Sequence, residues 1–371
     1  MLNMQTEPNI SRYLHSKGIR MGLPVSGTFE LTPRCNFDCK MCYVHLTAEE
    51  QRKRGSELSC DQWLSLASDA RDAGMVFLLL TGGEPLIRPD FPRLLSELKK
   101  MGLFVSINSN GSMITKEMLD FFREDPPARF NITLYGGSNE TYERLCGRPA
   151  FDTVVGNIRA LREIGIPVKL NCSLTPYNSV DLDQIAATAE ELKVPLQTAT
   201  YMFPPIRRDE TMIGCGDRFT SEEAAENALR WDRIRFSAEQ FTMRAERMAM
   251  GLSAPEGDSD CEGAPGEGIR CRAGRASFWL NWQGMMTPCG MMTEPAFSVL
   301  EDGFAAAWEK TRTATAAIRL PSACASCKYK HACHACAAMC MSETGRFDGK
   351  PCYVCAMTQK HVELTLKAAK E

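Results

Sequence analysis

Cys35, Cys39 and Cys42 form a C-x3-C-x2-C triplet directly behind a strand-like run from Thr28 to Thr32. Three thiols this close share a metal centre only if their loop is held in one shape, so the triplet demands rigid support from the elements around it. A four-iron cluster takes four thiolates when protein alone supplies its ligands. Three leave one iron open to a small molecule, and that turns an electron carrier into a catalyst. A partial zinc site is the competing use of the same side chains.

The surrounding chain alternates between strand and helix. Strand-like runs occur at Thr28 to Thr32, Val76 to Leu80, Phe104 to Asn108, Phe130 to Leu134, Val168 to Leu174 and Leu196 to Tyr201. Most are short apolar stretches of the kind buried in parallel sheets. Ser59 with Gln62 reads as a capping box, ahead of an apolar face of Trp63, Leu64, Leu66, Ala67 and Ala70, with Gly74 as the stop. Asp90 is placed to cap the helix carrying Leu94, Leu95 and Leu98, and a third helix runs through Val154, Ile158 and Leu161 to Gly165. Such units predict a parallel α/β barrel, full or partial, although spacing alone does not separate it from a doubly wound sheet.

Outside this pattern, residues 1–24 form a polar arm with a short helix around Ile10 to Lys17. After Pro204-Pro205 comes a charged helical stretch, 221–250, then a connector rich in Gly, Pro and acids. The expected division is 1–24 arm, 25–205 barrel, 206–268 connector and 269–371 cysteine-rich module.

Composition narrows the function. The 371 residues are 44% hydrophobic and 24% charged, ordinary for a soluble globular chain. A net charge of -3 gives no electrostatic case for nucleic acid. No apolar run reaches membrane-span length, and no secretion signal opens the chain. With no such signal, 17 cysteines read as metal ligands rather than disulfides, in the cytoplasm of a cell that is expected to be anaerobic.

The triplet, with Tyr43 after it and Thr81-Gly82-Gly83-Glu84-Pro85 behind the second strand, resembles the radical S-adenosylmethionine (SAM) enzymes. The resemblance implies an open, partial (β/α)6 barrel with the cluster and SAM at the carboxyl ends of the strands. It implies that Cys35, Cys39 and Cys42 hold a [4Fe-4S] cluster, whose open iron is chelated by SAM. Tyr43, Gly82, Gly83, Glu84, Asn110 and Thr133 are then expected around SAM. The glycines would let backbone carbonyls approach its ammonium, and Arg144 would pair with its carboxylate. No catalytic residue is assigned beyond the cluster.

The later cysteines, Cys271, Cys289, Cys324, Cys327, Cys333, Cys336, Cys340, Cys352 and Cys355, resemble the SPASM extension of radical SAM maturases. It implies two auxiliary [4Fe-4S] clusters, three in all. One would take Cys324, Cys327, Cys333 and either Cys352 or Cys355. The other would take Cys271, Cys289 and Cys336 or Cys340, with Cys261 a further candidate; zinc is again the alternative. Cys60, Cys146, Cys172 and Cys215 are isolated and read as buried apolar residues. Met285, Met286, Met291 and Met292, around Cys289, read as packing.

Three functions follow. The first is a maturase acting on a peptide or protein side chain to form a thioether, crosslink or oxidised residue. Gly290 stands where sulfatase-maturing relatives carry an acid, which argues against formylglycine formation. Residues 1–24 are too short for the leader-binding domain of many peptide maturases, since a stable domain needs at least about 40 residues. Leader recognition would then rest on a separate leader-binding protein or on the surface of the SPASM module, or be absent; a flavodoxin- or ferredoxin-type electron donor is a further expected partner. The second function is radical dehydrogenation of a small molecule, such as a polyol or aminoglycoside. The third, a pure electron-transfer protein, leaves the triplet and Gly82-Gly83-Glu84-Pro85 without a purpose.

Overall fold

The computed structural model describes residues 9–253 and 268–371. Six parallel strands form the body of one sheet: β1 (Ser26–Glu30), β2 (Phe77–Thr81), β3 (Phe104–Ser109), β4 (Arg129–Thr133), β5 (Val168–Ser173) and β6 (Leu196–Ala199). Their inward residues, among them Phe29, Leu80, Ile107, Phe130, Ile132 and Leu170, are fully shielded from solvent. Helices cover the sheet, and several of them begin at side-chain caps. Ser59 and Gln62 form the expected box ahead of the helix Cys60–Asp72, and Thr47 and Glu50 form another. Asp90 departs from expectation: its side chain makes no cap and instead takes two bonds from Arg88, at 2.9 and 2.7 Å.

The sheet does not stop at six. Its order is β6-β5-β4-β3-β2-β1-β7-β8-β9, with β7 (Ser277–Leu280) parallel to β1, followed by antiparallel β8 (Met285–Thr287) and β9 (Phe297–Ser298). β1, and with it the loop of the cysteine triplet, is therefore an interior strand. Phe278, Leu280, Met286, Phe304 and Trp308 join the barrel's own apolar core. A second, smaller core gathers Ile269, Ala273, Met292, Ile318, Ala337 and Ala338.

The arm is a helix, Asn9–Met21, longer than expected and stacked through His15 on Phe77. The charged stretch after β6 forms two helices, Ser221–Arg235 and Ala238–Ser253; the rest of the connector, Cys261 included, lies outside the described residues. Among the described residues no helix is long and apolar enough to cross a membrane.

Candidate functional site

The cysteine triplet sits on the loop after β1, gripped from three sides. Asp38 and Lys40 donate backbone N–H bonds to the carbonyls of Cys146 and Leu145, at 3.0 and 3.1 Å, at the carboxyl end of the helix Asn139–Cys146. From the β3 loop, Asn110 Nδ2 donates to Asn36 Oδ1 at 2.8 Å and reaches Cys35 Sγ at 3.7 Å. From the β2 loop, Gly83 N donates to Thr32 O at 2.8 Å and Glu84 N to Arg34 O at 2.9 Å.

That last contact gives the two glycines a purpose beyond the one expected. A Cβ on Gly82 would lie 2.6 Å from Thr32 O, and one on Gly83 would lie 2.3 Å from Arg34 O. Gly82 also has φ +154°, at the edge of the region that favours glycine. The pair lets the β2 loop press against the cysteine loop.

Glu84 faces inward. It is fully buried and accepts from Asn110 N at 2.8 Å, Leu86 N at 3.1 Å and Ser109 Oγ at 3.0 Å. Burial lifts its carboxyl to about 7 against the pull of those donors. It ties the β2 loop to the β3 loop and so positions Asn110. Thr133 ends β4, half-buried. Arg144 is partly exposed and gives both Nε and Nη2 to Tyr177 O, at 3.2 and 2.7 Å.

Two of the sulfurs accept backbone N–H bonds, which favour thiolate, while burial opposes it. Cys35 Sγ accepts from Phe37 N at 3.4 Å, and Cys42 Sγ from Val44 N and His45 N at 3.4 and 3.2 Å. Burial pushes the Cys35 thiol to about 12, with the neighbouring Cys39 and Cys42 adding to the rise. Three buried thiolates repel one another until a cation joins them, and a cationic iron centre supplies that charge, so the residues fit the cluster. Cys146 is buried as expected, but beside Cys39, and its nearness raises the Cys39 thiol. Cys60 and Cys172 are buried as expected, whereas Cys215 is exposed.

The later cysteines fall into two groups. Cys324, Cys327, Cys333, Cys340 and Cys355 line one cavity of about 90 Å³. Cys333 Sγ accepts from Ala335 N at 3.4 Å and from Thr358 Oγ1 at 3.7 Å. Cys352 is exposed and absent from that wall. In the second group Cys289 is raised by burial, eased by the Met291 N–H and raised again by Cys336 and Cys271. Cys340 is buried with the first group, where burial lifts it to about 12. Among the described residues no three His, Cys, Asp or Glu side chains converge on a single metal ion. Met286 and Met292 are core residues, as expected of the methionines there.

Residues 29–199 match the Radical SAM superfamily. The barrel is a radical SAM domain. The AdoMet-dependent heme synthase of Methanosarcina barkeri (strain Fusaro / DSM 804) is 24% identical over 332 residues, 86% of this chain and 93% of that protein. The PqqA peptide cyclase of Streptomyces rochei is 26% identical over 220 residues, 58% of this chain and 59% of that one. Among solved structures, Streptococcus suis SuiB bound to the precursor peptide SuiA has the same fold, with a TM-score of 0.66 at 16% identity over 95% of this chain and 84% of that chain.

One constellation around the radical SAM site escaped the sequence reading. Glu30, at the end of β1, is fully buried and bound to Arg207 and to the indole of Trp279. With Tyr43 they line a cavity of about 170 Å³ whose walls come from the barrel and from the strands added to it: Tyr43 and Val44 after the triplet, and Thr287 and Met292 near Cys289. A carboxylate between Phe29 and Leu31 in a buried strand was the available signal. A neighbouring, more open cavity of about 710 Å³ includes Cys42, Lys40 and Arg208.

Proposed function

We propose that this protein reductively cleaves SAM and uses the resulting radical on a peptide or protein side chain, as a maturase. The observation that carries the reading is the three-cysteine loop at the carboxyl end of β1, pinned by Gly82-Gly83-Glu84 and Asn110. Cys35, Cys39 and Cys42 would hold a [4Fe-4S] cluster with one open iron. Gly82, Gly83, Asn110, Thr133 and Tyr43 would surround SAM, with Arg144 released from Tyr177 O to meet its carboxylate. With SAM bound, the reduced cluster supplies a 5′-deoxyadenosyl radical that abstracts hydrogen from unactivated carbon. The chain's own task is to aim that radical and keep water from it.

Two auxiliary clusters of the SPASM kind would follow the two cysteine groups: Cys324, Cys327, Cys333 and Cys355 in one, and Cys271, Cys289 and Cys336 in the other. The electron would come from a flavodoxin- or ferredoxin-type donor.

A second reading, a tetrapyrrole substrate, is favoured by the near end-to-end match to the heme synthase and by the 710 Å³ cavity. One experiment separates them. The anaerobically reconstituted protein, with SAM and dithionite, is offered Fe-coproporphyrin III or co-expressed short peptides, and products are read by mass spectrometry. A mass change on a peptide with none on the porphyrin is expected. Porphyrin decarboxylation would overturn the maturase reading, and absence of 5′-deoxyadenosine from all mixtures would overturn both.

A further inference from the structure

Glu30 and Arg207 form a buried ion pair at the place where three functional elements meet. Arg207 Nη2 lies 2.9 and 2.8 Å from the two carboxylate oxygens of Glu30. Nη1 donates to Gly290 O at 3.0 Å, and Trp279 Nε1 donates to Glu30 Oε2 at 3.0 Å. The side chains are 15% and 1% exposed. Glu30 leads into the triplet loop, Arg207 belongs to the loop after β6, and Gly290 follows Cys289. The Arg207 guanidinium also sits 5.5 Å from the Tyr43 ring centre.

A buried ion pair is poor value as a stabiliser, because desolvating both ions cancels most of their attraction. Its position is more telling. One guanidinium clamps the last residue of β1 to the carbonyl beside Cys289, and neither half of the sheet can move without breaking it. Gly290 fits the same clamp: a Cβ there would lie 2.6 Å from the Trp279 ring.

We infer that Glu30 and Arg207 are positioning residues that fix the Cys289 turn against the SAM loop and set the electrostatic potential felt by an iron–sulfur cluster bound there. The inference rests on Cys289 being a cluster ligand. Reduction adds negative charge to a thiolate-bound cluster, so a nearby cation favours the reduced form and a nearby anion opposes it. Each partner's removal uncovers the other. Loss of Arg207 therefore makes the cluster harder to reduce, and loss of Glu30 makes it easier. A merely packing role moves both variants the same way or neither.

The test is a redox titration of the reconstituted full chain, followed by electron paramagnetic resonance. The auxiliary signal is first identified as the one lost in Cys289→Ala; if no such signal exists, the ligand assignment falls and the inference with it. Arg207→Met is expected to shift the midpoint of that signal to more negative potential, and Glu30→Gln to less negative potential. Arg207→Gln, close in length and still able to donate to Gly290 O, serves if Arg207→Met loses iron or its native circular dichroism. The signal of the SAM-loop cluster should shift less than the auxiliary one in every variant. Shifts of the same sign, or none, with the Cys289-dependent signal present, would overturn the inference and leave the proposed function standing.

Discussion

The barrel and the cysteine-bearing stretch after it hold their shapes by different means. In the barrel, side chains such as Trp63, Phe91, Leu94, Phe130 and Tyr142 are completely shielded, and they carry the triplet loop as a passenger. Residues 318–351 have little of this. Their apolar core is a handful of small side chains, and most of their cysteines face one another around a cavity. The boundary between the two regimes is not where the cysteines begin, because β7, β8 and the helix Phe304–Ala317 pack into the barrel core. The barrel uses apolar packing to place the triplet loop, whereas in the later stretch the proposed clusters would stand in for apolar packing.

The largest expected difference lies in iron removal. Chelating iron from the reconstituted protein should speed amide exchange in residues 318–351 by on the order of 100-fold or more, while strands β1–β5 stay protected. Hydrogen-exchange mass spectrometry reads both regions in one sample, and equal protection loss in β2 and β3 would remove the distinction. The complementary variant, Cys35, Cys39 and Cys42 all to Ala, should abolish 5′-deoxyadenosine formation with little change in the barrel's unfolding midpoint.

A smaller effect is expected where the barrel itself depends on a polar group. Glu84→Ala leaves Leu86 N, Asn110 N and Ser109 Oγ without their acceptor in a buried site. Each such loss costs about 1–3 kcal/mol, so at least roughly 3 kcal/mol should appear in urea unfolding. A cost near zero would mean that the β2 and β3 loops are joined by something other than this carboxylate.

The smallest effect belongs to the seam between the regions. Asp232, on the helix Ser221–Arg235, is buried, which opposes its ionisation. His361 at 3.1 Å, on the last helix, and Arg235 and Arg244 outweigh this and hold the carboxyl below its usual value. A depressed carboxyl stabilises the fold above its unfolded-state pKa, near 4, and the contribution disappears as pH falls through the folded value. Asp232→Asn should therefore cost about 1–2 kcal/mol near neutrality and progressively less at acid pH. Thermal melts from pH 7 to pH 3 check this, and parallel curves for the two proteins would contradict it.

Much of this was legible in the chain. The six barrel strands are local in origin: most are short apolar runs between turn residues, and several of the helices between them, such as Cys60–Asp72 and Asn139–Cys146, carry their own caps. The triplet and Gly82-Gly83 were readable because spacing along the chain fixes their chemistry and their conformational freedom. Asp90 shows the limit of local reading, since its capping position was right but Arg88 competed for its carboxylate.

Other features belong to the tertiary structure alone. β7 is a four-residue strand with no strong periodicity, and it exists because β1 offers an unpaired edge 250 residues earlier in the chain. Cys146 reads as isolated in sequence yet lies against Cys39, because a helix end happens to cradle the triplet loop. Glu30, Arg207, Trp279 and Gly290 come from separate segments, and only the assembled sheet brings them together. Sequence by itself determined the secondary structure of the barrel and the close spacing of the triplet's three thiols, because both depend on neighbours a few residues away. The burial of a charge, the grouping of the later cysteines and the pairing of distant loops depend on which surfaces exclude water together, and that was decided only when the sheet and its helices packed.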